Sequence, residues 1–137
     1  KDLFPAGRLD RNTEGLLIIT DDGEFSHKLL APKSHVNKLY EAVVDRKLAE
    51  NDVEKFRAGI SEGGDDFLPA DMKIIGKNTA LVEICEGRMF HAVGTEVLEL
   101  KRLRIGGLLL DDKLSSGEAR ELSSEEINQA LSREKIL

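Results

Sequence analysis

Four segments of this chain carry recurring apolar side chains over a strand's length, and this constrains the fold more than any other feature. Residues 38–44, 68–75, 79–85 and 97–105 all read this way. The second and third look like an antiparallel pair joined around Gly76-Lys77-Asn78. A fifth run, Leu16-Leu17-Ile18-Ile19-Thr20, is apolar and β-branched and reads as a buried strand. Helical windows separate the strands. Asp22 caps a helix over residues 24–30, with Phe25, Leu29 and Leu30 on one face and Pro32 ending it. Asn51 or Asp52 starts a second helix near 50–58, with Val53, Phe56 and Ile60 sharing a face. Ser123 and Glu126 form a capping box that opens a third over residues 123–134. Residues 89–93 fit a short helix closed by Gly94. Residues 3–10 read as loop or irregular extended structure, and Asn12-Thr13-Glu14-Gly15, Gly63-Gly64-Asp65-Asp66 and Gly106-Gly107 as turns or breaks. The expected fold class is α+β, a mainly antiparallel mixed sheet flanked by helices.

At 137 residues one domain, 1–137, is expected. Hydrophobic residues make up 40% and charged residues 34%, enough for an ordinary core. No apolar run approaches the roughly 20 residues of a membrane span. The single cysteine, Cys85, excludes a disulfide framework and a cysteine-rich zinc site, and points to a reducing compartment, the cytoplasm. The chain starts at Lys1 with no charged-then-apolar leader, and an N-terminal part is expected to be missing. The net charge of −6 opposes nucleic-acid binding if taken as an average. The distribution is uneven, however. Arg8, Arg11, Lys28, Lys33 and Lys38 gather in the first forty residues, and Lys101, Arg102 and Arg104 in one short run. An acidic protein with that layout can still present a basic cleft.

Chemistry concentrates in Arg8-Leu9-Asp10-Arg11. An aspartate between two arginines lies just before a polar turn that enters an apolar strand. Flanking cations favour its charged form, as a nucleophilic carboxylate needs, and the strand anchors the loop. From physics alone, the plainer alternative is a loop aspartate satisfied by backbone N–H groups or by Arg8.

The longer pattern is more specific. Gly7-Arg8-Leu9-Asp10, Thr13-Glu14-Gly15-Leu16-Leu17 and Thr20-Asp21-Asp22-Gly23 closely resemble the signature of the RsuA/RluB branch of pseudouridine synthases, which modify ribosomal RNA. The resemblance runs on through Ser26-His27-Lys28-Leu29-Leu30-Ala31-Pro32, Lys38-Leu39-Tyr40, Glu86-Gly87, Arg88-Met89-Phe90 and Arg102-Leu103-Arg104-Ile105-Gly106-Gly107, from Phe4 to about Glu126. It implies the pseudouridine synthase catalytic fold and an isomerase that needs no cofactor. It also implies that Asp10 is the catalytic residue, acting on the ribose as nucleophile or as base. Tyr40, the only tyrosine in a chain without tryptophan, is the implied stacking platform for the target base. Arg8, Arg11, Lys38, Arg88, Arg102 and Arg104 are the implied RNA contacts, with Arg104 a candidate partner for Asp10. The implied partner is ribosomal RNA or a pre-ribosomal particle, bound by a monomer with no membrane attachment. The short chain after Glu126 leans the substrate towards small-subunit rRNA. Large-subunit rRNA, or a non-catalytic ribosome-assembly module of the same fold, are the alternatives.

Two departures stand out. Relatives typically carry a Lys/Arg-aromatic-His-Gln-Val-Lys/Arg stretch before Arg-Met-Phe, and here Gly87 abuts Arg88 directly. A deletion or an omitted loop accounts for this, and the lost basic residue is the one that pairs with the catalytic Asp in the family. The second departure is at the start, where the small S4-type RNA-binding domain usual in this branch is expected to be missing. Elsewhere, His27, His35 and His91 lack metal-ligand spacing. Asp21-Asp22 and Asp111-Asp112 read as acidic turns. Lys101-Arg102-Leu103-Arg104 reads as a solvated strand edge or, functionally, as phosphate contact or support of the active site.

Overall fold

The computed structural model describes residues 2–34, 36–62, 65–67, 69–84 and 95–137. Cys85, Arg88, the expected helix at 89–93, Gly94, His35, His91 and Gly63-Gly64 fall outside the described residues.

The centre is a mixed sheet of strand order β10-β9-β4-β8-β7. Its members are β4 (Lys38–Val44), β7 (Asp71–Ile74), β8 (Thr79–Ile84), β9 (Val97–Ile105) and β10 (Leu108–Leu109). The apolar runs at 38–44 and 97–105 predict the bounds of β4 and β9 to the residue. All four ladders along this order are antiparallel. A fifth ladder is parallel: β2 (Thr13–Gly15) runs beside residues 100–102 of β9, on the edge that β10 occupies further along. Ile105 pairs with Leu108, so Gly106-Gly107 is a two-residue hairpin turn, with Gly106 at φ +55°. A side chain at Gly106 would strike the Ala130 carbonyl oxygen at 2.3 Å.

Two apolar cores flank the sheet. The helix α2 (Glu50–Ala58) sets Val53 and Phe56 against Ala42, Val44, Met72, Ala80, Val82 and Ile84. The second core joins Phe25 and Leu29 of α1 (Gly23–Leu30) to Ala6, Ile18, Ile105, Leu108 and Ala130 of α3 (Ser124–Ala130). The caps follow the sequence. The Asp22 carboxylate accepts the Glu24 and Phe25 N–H groups, and Ser123 and Glu126 make the reciprocal box. Helix α2 starts at Glu50, ahead of either residue expected to start it, because the Asp52 carboxylate reaches back to the Ala49 N–H and is held by Arg46. Arg46 hydrogen bonding depresses the Asp52 pKa.

Several expectations change. Within residues 3–10, expected as loop or irregular extended structure, β1 (Phe4–Ala6) is a regular strand that pairs antiparallel with β3 (Ile18–Thr20). The fifth run shortens to β3 and is not a buried strand. Only Ile18 is buried, while Ile19 is 55% exposed. A two-stranded ribbon covers one face and leaves the other to solvent. Thr13–Gly15, expected as turn, is a strand because β9 offers it an open edge. Asp65 and Asp66 lie in β6 (Asp65–Phe67), paired with β5 (Ile60–Glu62). The last helix stops at Ala130, and the segment beyond it is held differently: the Ile136 and Leu137 N–H groups donate to the buried Glu83 carboxylate of β8.

Candidate active site

The site grows from the outer edge of β9. Register alone sets its floor. Thr13 faces Leu100, Gly15 faces Arg102, Ala42 faces Leu100 and Tyr40 faces Arg102. Residues opposed across a ladder share a sheet face, and so do residues two apart on one strand. Thr13, Leu100, Arg102 and Tyr40 therefore occupy one face across β2, β9 and β4. The register between β4 and β9 shifts between Leu39 and Tyr40: Leu39 faces Arg104 but Tyr40 faces Arg102, leaving Leu103 as the extra residue. Bulges commonly re-aim side chains beside functional sites, and this one sets Tyr40 against Arg102.

Over the floor lies the loop from β1 to β2. Arg8, Leu9 and Asp10 descend from it into a cleft of about 170 Å³, whose other lining residues are Thr13, Tyr40 and Leu100. The loop is tightened locally by a Thr13 N–H bond to the Asp10 carbonyl at 2.9 Å. Asp10 and Arg8 are exposed, and Tyr40 is half-buried with its ring packed on the α2-side core. A carboxylate beside an aromatic wall, with a cation at the rim, can receive a flat polar ring and act on what is attached to it. The volume lies under the roughly 300 Å³ at which drug-sized sites begin, so it suits one ring.

The expected site residues divide. Asp10, Tyr40 and Arg8 meet in the cleft, though Asp10 and Tyr40 are thirty positions apart in sequence. Arg11 is exposed on the same loop but does not line the cleft, and Lys38 is half-buried at the start of β4. Arg104 donates its Nε to the Gly106 carbonyl at 2.9 Å, bracing the hairpin turn; this corrects its expected pairing with Asp10. Among the described residues no ion pair reaches the Asp10 carboxylate. Of the readings open for Arg102, its 3% exposure overturns the solvated edge and leaves its guanidinium turned inward, in keeping with support of the site. Its Nε and Nη2 donate to the carbonyls of Leu16 and Gly7, each at 2.8 Å. Leu9, Thr13 and Leu100 were not expected in the site. Thr13 and Leu100 enter it through the β2–β9 register, which no local pattern announces.

Comparison with known proteins sharpens this geometry. A family model described as RNA pseudouridylate synthase matches residues 1–96. The chain is 42% identical over 136 residues to an uncharacterized RNA pseudouridine synthase of Bacillus subtilis (strain 168), covering 91% of this chain and 57% of that protein. It is 41% identical over 133 residues to ribosomal small subunit pseudouridine synthase A of Escherichia coli (strain K12), with 91% and 58% covered. A solved structure, described as a crystal structure of pseudouridylate synthase, superposes with a TM-score of 0.87 at 36% identity, covering 93% of this chain and 59% of that one. The chain thus spans under two thirds of the length of these relatives.

Proposed function

Because the chain belongs to the RNA pseudouridylate synthase family, we propose that it isomerises a uridine of ribosomal RNA to pseudouridine, with Asp10 as its catalytic residue. The observation that carries this reading is the single cleft uniting Asp10 with Tyr40. In the reaction the bond from ribose C1′ to uracil N1 breaks and the base rotates. C1′ then bonds to C5, the C5 proton leaves, and N1 takes a proton. Atoms and electrons balance without a donor or acceptor, so no cofactor enters. The uridine leaves its stack to reach the cleft. Its ring rests on Tyr40, the Asp10 carboxylate acts at the ribose, and Arg8 and Arg11 meet the flanking phosphates.

Similarity to the E. coli small-subunit enzyme supports small-subunit rRNA as the substrate. Such an enzyme works on ribosomal particles in the cytoplasm, as a monomer. Among the described residues no helix is long and apolar enough to cross a membrane. Residues 1–137 are read as the catalytic domain, with RNA selection shared by whatever accompanies it.

The test is a map of pseudouridines, by carbodiimide labelling and primer stops, in the rRNA of a strain deleted for the gene. One stop disappears and returns with the wild-type gene but not with Asp10→Asn. A stop restored by Asp10→Asn removes the catalytic assignment. An unchanged map favours a ribosome-assembly module that binds RNA without modifying it.

A further inference from the structure

Arg102 joins both ends of the loop that carries Asp10. At one end the Gly7 carbonyl accepts from Nη2, and at the other the Leu16 carbonyl accepts from Nε. The backbone of the same residue makes a third tie, since the Leu16 N–H donates to the Arg102 carbonyl at 2.8 Å. Both loop ends are glycines in the left-handed region, Gly7 at φ +88° and Gly15 at φ +114°. A Cβ at Gly15 would lie 2.2 Å from the Arg102 carbonyl oxygen, so only glycine admits this approach. A Cβ at Gly7 would sit 3.1 Å from the Leu30 side chain and 3.8 Å from Arg102 Nη1. Residues 7–16, the β1–β2 loop together with β2, thus form a segment whose two ends close on one buried side chain.

The chemical choice is unusual for that location. A guanidinium at 3% exposure normally faces a carboxylate, yet both hydrogen bonds resolved here go to backbone carbonyls. Only arginine offers a planar fork able to hold two carbonyls at fixed separation; lysine is a single point donor on a flexible stem. Arg102 also stands directly opposite Tyr40 and two residues from Leu100. One residue is therefore fixed both to the loop bearing the carboxylate and to the strands bearing the cleft floor.

The geometry points to Arg102 as the positioning residue of the site: its guanidinium sets the reach of Asp10 over the Tyr40–Leu100 floor by closing the 7–16 segment, and it does not bind RNA. This rests on the reading of Asp10 as the catalytic residue. Misplacement of a reacting group by about 1 Å costs on the order of 100-fold in rate, so the effect belongs in kcat.

The experiment uses the full protein on a small-subunit rRNA transcript labelled with tritium at uridine C5, which releases tritium as the C–C bond forms. Arg102→Lys is expected to lower kcat by about 100-fold while KM for the RNA stays near that of the wild type. Amide hydrogen exchange should quicken in residues 8–16 and remain slow in β4 and β8. A wild-type kcat overturns the proposal. So does a raised KM with unchanged kcat, which marks an RNA contact, and so does protection lost evenly across the sheet, which marks a general stability role. Should Arg102→Lys fail to fold, nitrogen-resolved exchange on the wild type decides. The Arg102 Nε–H is expected to open together with the Thr13 and Leu16 amides. Its persistence while those amides exchange freely overturns the tie. Asp10→Asn runs alongside. Tritium release by that variant refutes the catalytic reading and takes the positioning role with it. A dead Asp10→Asn beside a fully active Arg102→Lys refutes positioning alone.

Discussion

Two arginines organise the two ends of this chain in opposite ways. Arg102 lies inside, 3% exposed, with its guanidinium on two backbone carbonyls. Arg120 lies on the surface and bridges two carboxylates, holding Glu126 through both terminal nitrogens at 3.0 and 2.7 Å and Asp111 through Nε at 2.8 Å. Counted by formal charge, Arg120 has the better partners. Burial reverses the ranking. Solvent screens the surface cluster and takes over its hydrogen bonds when it breaks, whereas carbonyls stripped of a buried donor have nothing to replace it. The surface cluster trims a capped helix end, and the buried fork fixes where a carboxylate points.

The steepest way to break this comparison is at the residue Arg102 serves. Asp10→Asn should reduce tritium release to background with an unchanged melting curve, and an active variant would leave the buried fork nothing to position. Next is the fork itself. Arg102→Met keeps the volume but leaves two carbonyls without donors, at about 1–3 kcal/mol each, read from the midpoint of denaturant unfolding. A loss no larger than that of Arg120→Met would erase the contrast. On the cleft floor, Tyr40→Phe should be nearly as active as wild type and Tyr40→Ala severely impaired; equal activities would reject stacking. Arg120→Met should lower the melting temperature at neutral pH, but by less than Arg102→Met does.

Acid sharpens the surface half of the contrast. Hydrogen bonds from Arg120, and then from the Ser123 N–H, hold the Glu126 pKa down to about 2 from the ordinary 4.5. A carboxylate depressed on folding contributes stability that is complete above its ordinary value and disappears as pH falls through the folded one. Melting temperature should therefore drop between pH 4.5 and 2, more gently in Glu126→Gln. Equal slopes would show that the cluster contributes nothing.

Much of this was legible residue by residue. Recurring apolar residues bound β4 and β9, Asp22 and the Ser123–Glu126 pair fix two helix starts, and the ordered run from Gly7 to Gly23 marks the loop proposed to react. These signals are local: a strand with one buried face must alternate, and a helix start needs an acceptor within three residues.

Tertiary structure decided the rest. Thr13–Gly15 is too short to show a period, and becomes a strand only because the edge of β9 is free beside it. Glu83 of β8 is buried with its carboxylate accepting from Ile136, Leu137 and the Asn37 side chain, partners far away in sequence. In Arg102 the sequence shows a charged residue on an alternating strand, the pattern of a solvated edge. What buries it is the arrival of carbonyls from Gly7 and Leu16, ninety-five and eighty-six positions away. Sequence by itself singled out Asp10 as the residue proposed to react. Only the pairing of distant segments determined what holds it in place, because a hydrogen-bond acceptor supplied by backbone leaves no trace in the identity of the residue that supplies it.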